Sequence, residues 1–335
     1  NSSVIINQAG NVDHYYENGN SSVPPVVLNG ESLWVGIKNK YFLMAIMPDF
    51  PGVSASYLYD NASLGNRKIT PKYSTSIDFP IENNEFSFNL YFGPQDYSLL
   101  SSFDNNLQGS MTLGWKIIQP FSKGILYLLS YLYKYLKNYG LVLIVFSLII
   151  RVLTGPLTKK AAVSSQKMQK IQPEMKKVHE KYKNDPQKKN QETILLYKKH
   201  GVNPLSGCLP VLIQMPLLFA LFTVFRTTIE FRGAPFIFWI NDLSKPDMIF
   251  QLPFSLPLYG SNVCVLPIIM GITMFIQQRF SMASTENAQK IPMYIMSAMF
   301  FLIFNTFPSG LNLYYSLSNI LNIIQQQSIK KTLAR

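Results

Sequence analysis

The sequence predicts a two-part protein: an N-terminal extracytoplasmic β-sandwich domain, then a membrane α-helical bundle of five spans with a cytoplasmic helical hairpin after the first. Three observations carry this. The first hundred residues alternate short apolar and polar positions and are punctuated by Gly, Pro, Asn and Asp, whereas the second half contains long charge-free runs. Lysines gather between two of those runs: from Lys159 to Lys199 there are 12 Lys against Glu174, Glu180, Asp185 and Glu192, a difference of +8. By the positive-inside rule that segment is cytoplasmic. Topology thereby explains most of the overall +12 charge, and no direct nucleic-acid ligand is predicted.

Residues 1–108 form the predicted extracytoplasmic β-sandwich. Ser32 to Met47 reads as two strands around Asn39-Lys40, with further strands near Ser56 to Tyr59, Lys72 to Phe79 and Glu85 to Phe92. His14 lies in a polar segment, which predicts a surface role rather than a base or a metal ligand. About a hundred residues is few for a complete sandwich, so the domain reads as incomplete. Asn1 is not an initiator Met and no apolar anchor precedes the domain, so the chain reads as processed or truncated, without a first span.

Residues 109–138 combine Leu, Ile and Tyr with Lys116, Lys123, Lys134 and Lys137, the composition of an amphipathic helix lying in the bilayer interface. The five-span core is 139–335. Its first span, Leu141 to Leu157, contains Arg151, which costs roughly 2.5 to 3.5 kcal/mol on insertion scales. The nearest cations, Lys159 and Lys160, lie about 8 residues on, roughly 12 Å along a helix, so snorkelling is possible but strained. Ser147 stands four residues earlier on the same face, giving that span a polar stripe.

The cytoplasmic hairpin covers 159–203. Met168, Ile171, Met175, Val178 and Tyr182 recur every three to four residues, the stripe of a helix that packs on itself or receives a partner. Asn184-Asp-Pro186 breaks that helix, and a second one runs to His200, capped by Gly201. A second span, Leu205 to Phe225, is charge-free and carries Pro210, Gln214 and Pro216. An external segment follows, with Phe236, Phe238 and Trp239 as interfacial aromatics and turns at Pro253 and Pro257. Val263 to Gln278 is the third span and Ser281 to Lys290 a cytoplasmic loop. Ile291 to Ile329 is charge-free and long enough for two spans, with Pro308-Ser-Gly310 as the turn. Cys208 and Cys264 both fall in apolar segments and read as packing residues.

Arg151, Ser147, Gln214, Tyr315, Asn319 and Asn322 place polar groups on three of the five spans, and no acidic residue in a span core neutralises Arg151. Asparagine and glutamine in spans often only bond neighbouring helices. An unpaired arginine instead implies a hydrated cavity. No HExxH, intramembrane aspartate pair or serine with a histidine base accompanies it, which argues against an enzyme, and no nucleotide or metal cofactor is implied. Two rivals remain open: a channel or transporter in which Arg151 selects an anion, and an assembly scaffold that works through its outer β-domain.

Arg151 before Gly155-Pro-Leu157, the run Tyr197-Lys-Lys-His-Gly-Val-Asn-Pro-Leu-Ser-Gly-Cys-Leu-Pro210, Leu212-Ile-Gln-Met-Pro216, Ala234-Pro-Phe236, Phe238 to Ser244, Phe307-Pro-Ser-Gly-Leu311, Leu313-Tyr-Tyr315 and Ile324-Gln-Gln-Gln327 resemble the bacterial YidC membrane protein insertases. That family includes the mitochondrial Oxa and chloroplast Alb insertases. The likeness runs from about Gly114 to the C-terminus, and Tyr91 to Tyr97 is similar to the end of the family's periplasmic domain. It implies a hydrophilic groove open to cytoplasm and lipid, with Arg151 as its cation, Ser147 at a Thr or Ser position and Tyr315 lining the substrate path. Arg151 would transiently hold acidic residues of a nascent membrane protein while its transmembrane helix slides into lipid along the second and fourth spans. The implied partners are such nascent chains, the Sec translocon, membrane lipid, and the ribosome or signal recognition machinery at the basic hairpin. The implied place is the bacterial inner membrane, with a periplasmic N-terminal domain and a cytoplasmic C-terminus.

Overall fold

Ala9 and Gly10 both adopt positive φ, 47° and 86°, and this tight turn folds β1 (Ser3–Gln8) back on β2 (Asn11–Tyr16), pairing Gln8 with Asn11. The structure, a computed structural model, describes residues 2–16, 23–60, 72–80, 85–201, 209–257, 259–281 and 287–334. The chain falls into two compact units, residues 1–113 with 226–230, and residues 114–225 with 231–335.

The first unit is built on β3 (Val23–Lys38), a 16-residue strand whose two halves belong to different leaves of one seven-stranded sheet. Its first half pairs with β5 (Gly52–Asp60), which carries β6 (Lys72–Asp78). Its second half lies between β1 and β4 (Phe42–Pro48), and β4 carries the edge strand β7 (Phe88–Pro94). The register shifts between Asn29 and Ser32, around Gly30 at φ 133°, where the strand passes from one leaf to the other. Val4, Ile6, Val35 and Ala55 then form a core that Leu28, Ile37, Tyr57, Tyr73 and Ile77 complete, giving the expected sandwich-like arrangement. Ser76, Ile77 and Phe79 across from Val35, Ile46 and Phe88 line a cavity of about 210 Å³. The hairpin of β1 and β2 was not legible as such in the sequence.

The opposite face of β1 and β3 is covered by the segment after α1 (Tyr97–Leu100), which includes a 3-10 turn at Leu107–Ser110. Asn7 and Trp34 are register partners, and both donate to the Asn105 carbonyl, at 2.7 and 2.8 Å. Lys38, two residues further along that face from Gly36, is 6% exposed and donates to Ser110 O at 2.6 Å and Thr112 Oγ1 at 2.7 Å. His14 corrects the surface reading: it is half-buried with Nε2 3.2 Å from Gly109 O, because β2 packs against the same segment.

In the second unit α2 (Gln119–Leu136) buries Ser122, Ile125, Leu126 and Leu129 and leaves Phe121, Tyr127, Tyr131 and Tyr135 exposed. Lys137 turns the chain at φ 52°, Asn138 caps the next helix by accepting from Leu141 N, and the Tyr133 and Tyr139 rings stack at 4.1 Å. That helix, α3 (Tyr139–Lys181), runs unbroken through Pro156 and Pro173. The first span and the first hairpin helix are therefore one rod of roughly 65 Å. Its apolar part, Tyr139–Ala161, is among the described residues the one helix long and apolar enough to cross a bilayer; Val265–Gln278 is a shorter apolar helix.

Asp185 accepts from Lys188 N and starts α4 (Pro186–Lys199), which ends before Gly201 at φ 60°. It folds back on α3 so that Ile171, Met175 and Leu196 are buried with Met168 and Tyr197 against them. Glu174 meets His200 at 3.1 Å and His179 meets Thr193 at 3.4 Å, the antiparallel register. Val178 and Tyr182, further down the predicted stripe, are half-buried outside that cluster.

The remaining elements are α5 (Leu209–Thr227), a two-stranded ribbon of β8 (Met248–Leu256) and β9 (Gly260–Cys264), α6 (Val265–Ser281), α7 (Asn287–Phe304) and α8 (Ser309–Ala334). The ribbon stands where the sequence suggested only turns. Cys264 is buried, as read; Cys208 and residues 282–286 of the loop from Ser281 to Lys290 lie outside the described residues. In this unit close approach requires glycine at two positions. A Cβ on Gly140 would lie 1.8 Å from the Phe236 ring, and one on Gly310 would lie 2.5 Å from Phe225.

Burial lowers the Lys38 amine from 10.5 to about 7, and burial next to Lys38 lowers His14 from 6.5 to about 4. A neutral amine has two N–H donors, which is the number of acceptors Lys38 meets. Both groups are more basic when unfolded, so the unfolded chain binds more protons and stability rises with pH, across 4 to 6.5 for His14 and 7 to 10.5 for Lys38. We expect thermal unfolding followed by the fully buried Trp34 to show about 2 to 4 kcal/mol of gain between pH 7 and 9.5 that Lys38→Met removes. Parallel pH profiles for the two proteins would contradict it.

Candidate functional site

Ser147 and Arg151 stand one turn apart on α3, where the apolar run leaves them the polar positions of one face. Ser147 is buried, and its hydroxyl donates to Leu143 O of its own helix at 2.7 Å, so its hydrogen is already used. Arg151 is half-buried. Its Nη1 donates to Asn322 Oδ1 on α8, while Nε and Nη2 are buried without a partner. Among the described residues no carboxylate pairs with it.

α8 runs between α3 and α6, and two of its asparagines divide between them. Asn322 reaches Arg151, and Asn319, one turn earlier, donates to Thr273 Oγ1 on α6 at 3.3 Å. A further turn towards the N-terminus, Tyr315 sits edge-on to Phe304 at 5.5 Å and to Tyr314 at 5.2 Å. Its hydroxyl is buried without a well-directed bond, as is that of Tyr314. Gln214 on α5 lies beside both hydroxyls. The six predicted residues thus fall on α3, α5 and α8, with Arg151 and Asn322 in direct contact.

Three participants escaped the sequence reading. Tyr314, next to the expected Tyr315, packs on Phe146 of α3 at 5.7 Å and lies close to Arg151. Thr273 holds Asn319. Gln325 donates to Gly155 O at 3.2 Å, one turn from Arg151 on α3. The run Tyr314 to Gln325, with polar residues every three to four positions, carried a signal for the last of these.

At the other end of α8 the polar side chains are used by backbone. Asn312 donates to Phe304 O at 3.1 Å, Ser309 N and Gly310 N donate to the carbonyls of Lys245 and Leu243, and Ser309 Oγ donates to Asp242 O. The loop before the ribbon therefore supplies the acceptors that a helix N-terminus lacks. Phe236 of the Ala234-Pro-Phe236 motif packs on Gly140, and Trp239 donates from Nε1 to Asp247 at 3.1 Å.

The sequence model described as 60Kd inner membrane protein matches residues 131–335, and that described as YidC periplasmic domain matches residues 11–126. The membrane protein insertase YidC of Chlorobium phaeovibrioides is 40% identical over 309 residues, that of Pelodictyon phaeoclathratiforme 41% over 310, each alignment covering 91% of this chain and 53% of the relative. The chain thus spans about half the length of the curated relatives it matches. A crystal structure described as an active YidC insertase with its first transmembrane domain resolved superposes with a TM-score of 0.50 at 22% identity, over 96% of this chain and 82% of that one, a likeness of fold. A family model over most of the chain, a domain model over its start and relatives at about 40% identity agree with the motifs around Arg151 and Gly310: the chain belongs to the YidC family of membrane protein insertases, the 60Kd inner membrane proteins.

Proposed function

We propose that this protein inserts membrane proteins without covalent chemistry, nucleotide or metal, by receiving a nascent chain between α3, α5 and α8 and releasing its transmembrane helix into lipid. The observation that carries the reading is the state of Arg151: one donor on Asn322 and two buried donors unused. A guanidinium with free donors is a receptor for carboxylates, which take two parallel bonds from it. An acidic residue in the outer segment of a substrate supplies that acceptor. Tyr315, Gln214 and Asn319 extend the polar path, and Ser147 keeps the face of α3 polar above the cation. Water in such a groove shortens the apolar barrier, and burial of the substrate's apolar helix in lipid drives release.

The same reading places five spans, on α3 and α5 to α8, with 1–108 periplasmic, 109–138 in the outer interface and the hairpin of 159–203 and the C-terminus in the cytoplasm. Lysine excess in the hairpin supports that orientation. Its packed stripe of Met168, Ile171 and Met175 against Leu196 supports a preformed platform for a ribosome or targeting factor. Work beside the Sec translocon belongs to the same proposal.

The test is insertion of a single-span substrate with an acidic outer tail into proteoliposomes, scored as protease-protected product. Arg151→Ala is expected to lower the yield about tenfold or more, since a charge-assisted hydrogen bond contributes about 1.5 to 3 kcal/mol. Arg151→Lys should retain activity and Arg151→Glu lose it; equal activity of the two rejects electrostatic capture.

Asn322 gives an independent check. Asn322→Ala frees the third donor and should leave yield within about threefold, whereas Asn322→Asp places a permanent carboxylate on Arg151 and should match Arg151→Ala. Similar yields from the two Asn322 variants would argue against the cation as the capturing group.

A further inference from the structure

β8, Met248-Ile-Phe-Gln-Leu-Pro-Phe-Ser-Leu256, has an apolar residue at every even position, a pattern that asks for a covered face, and its pairing with β9 shifts register between Met248 and Phe250 and between Gln251 and Leu256. Yet it has no such cover. Phe250 and Phe254 are 59% and 57% exposed, and Met248 and Leu256 are exposed with them. Its partner β9 is half-buried up to Cys264. A two-stranded ribbon with an open apolar face is marginal in water.

This ribbon is nevertheless firmly mounted. At its base Asp247 is buried, and its Oδ2 accepts from Val265 N at 3.1 Å, Leu266 N at 2.8 Å and Trp239 Nε1 at 3.1 Å, capping α6 from across the ribbon. At its turn Asn305, the penultimate polar group of the α7 end, donates to Tyr259 O at 2.8 Å and Asn262 O at 2.6 Å. Gly260 turns at φ 83°, and the Tyr259 ring lies 5.9 Å from Phe301. Both ends are held by buried polar side chains while the apolar face points away from the bundle's own residues.

The chemistry of the surroundings selects the occupant. No charged residue occurs from Met248 to Gln278, and α6, which follows β9 directly, exposes Ile268, Ile272, Phe275 and Ile276, whose spacing marks one helix face. In a membrane protein such a face meets acyl chains. The ribbon cannot go as deep as the helix, because its outer edges leave peptide groups without ladder partners, which hydrocarbon does not tolerate. The odd positions Gln251 and Ser255 are polar and exposed, and Pro253 removes one donor. We propose that the β8–β9 ribbon lies in the membrane interface, opposite the basic hairpin, with Phe250 and Phe254 among lipid acyl chains and Gln251 and Ser255 at headgroup level.

The test uses the full chain in phosphatidylcholine–phosphatidylglycerol vesicles, with a nitroxide attached at Phe254→Cys or Ser255→Cys in a Cys208→Ala, Cys264→Ala background. The expected result is several-fold more collision with oxygen than with an aqueous nickel chelate at position 254, and the reverse at 255. Equal chelate access at the two positions would put the ribbon in water and overturn the proposal. Exclusion of both reagents at 254 would mean protein covers it, a second copy or another chain, and would overturn it too. Because Cys264 is buried and its replacement can disturb the fold, Phe254→Trp in the otherwise native protein is the second measurement. Brominated phospholipid should quench the added emission more strongly than dissolved iodide does, and the opposite order refutes lipid contact.

Discussion

A guanidinium withdrawn from water sets the terms for the helical unit. Arg151 sits within the one described helix that is long and apolar enough to span a bilayer, so its charge must be met from other helices. α8 meets part of it. Asn322 takes a hydrogen of Nη1, and the other two nitrogens, Nε and Nη2, stay buried and unpaired. Each such donor costs about 1 to 3 kcal/mol, which a stable core does not leave standing without a compensating acceptor or water. The tyrosines about two turns before Asn322 on α8 share that condition, since the hydroxyls of Tyr314 and Tyr315 are buried without a directed bond.

The two ends of the bundle differ in how their polar side chains are used. Near Gly310, Asp247, Asn305, Asn312 and Ser309 bond to backbone of another segment, closing helix ends and holding the loop and ribbon. Around Arg151 the polar capacity stays partly free. The first set makes a rigid end, because each bond fixes a peptide group that would otherwise need water. The second set leaves donors available to something that is not part of the chain. That contrast, more than the presence of polar residues in apolar helices, distinguishes a candidate receptor from ordinary interhelical bonding.

Periodic and punctuated features were legible in the sequence, while tertiary ones were not. The stripe Met168, Ile171, Met175 and the breaker Asn184-Asp-Pro186 specify the helical hairpin locally, and α4 begins at Pro186 as the pattern demands. Pro308-Ser-Gly310 likewise separates α7 from α8. The ribbon β8–β9 was not legible because Pro253 lies inside β8 and Pro257 just beyond it, and prolines lower the weight of a strand. His14 was misplaced because a half-buried environment comes from Gly109, 95 residues away, which no local pattern reveals. That Tyr314 stands beside Arg151 was not legible for the same reason. Adjacent residues on a helix are about 100° apart, and only the packing of α3 on α8 decides which one faces the cation.

The continuity of α3 joins the two halves of this picture. Arg151 and the hairpin core at Ile171 and Met175 lie on one helix, 20 to 24 residues apart in the sequence, roughly 30 to 36 Å along the axis. Pro156 stands between them, and a proline inside a helix removes a hydrogen bond and invites a kink. α8 clamps that point: Gln325 donates to Gly155 O, and a Cβ at position 155 would come within 3.3 Å of the Gln325 amide nitrogen. The carbonyl that Pro156 leaves without its helical donor is that of Val152, so Gln325 ties α8 to α3 beside the proline rather than filling its place in the ladder. The contact that steadies the rod is made by the same helix that holds the cation, three residues beyond Asn322. Any change in the packing of α8 on α3 acts on the guanidinium and on the root of the hairpin together.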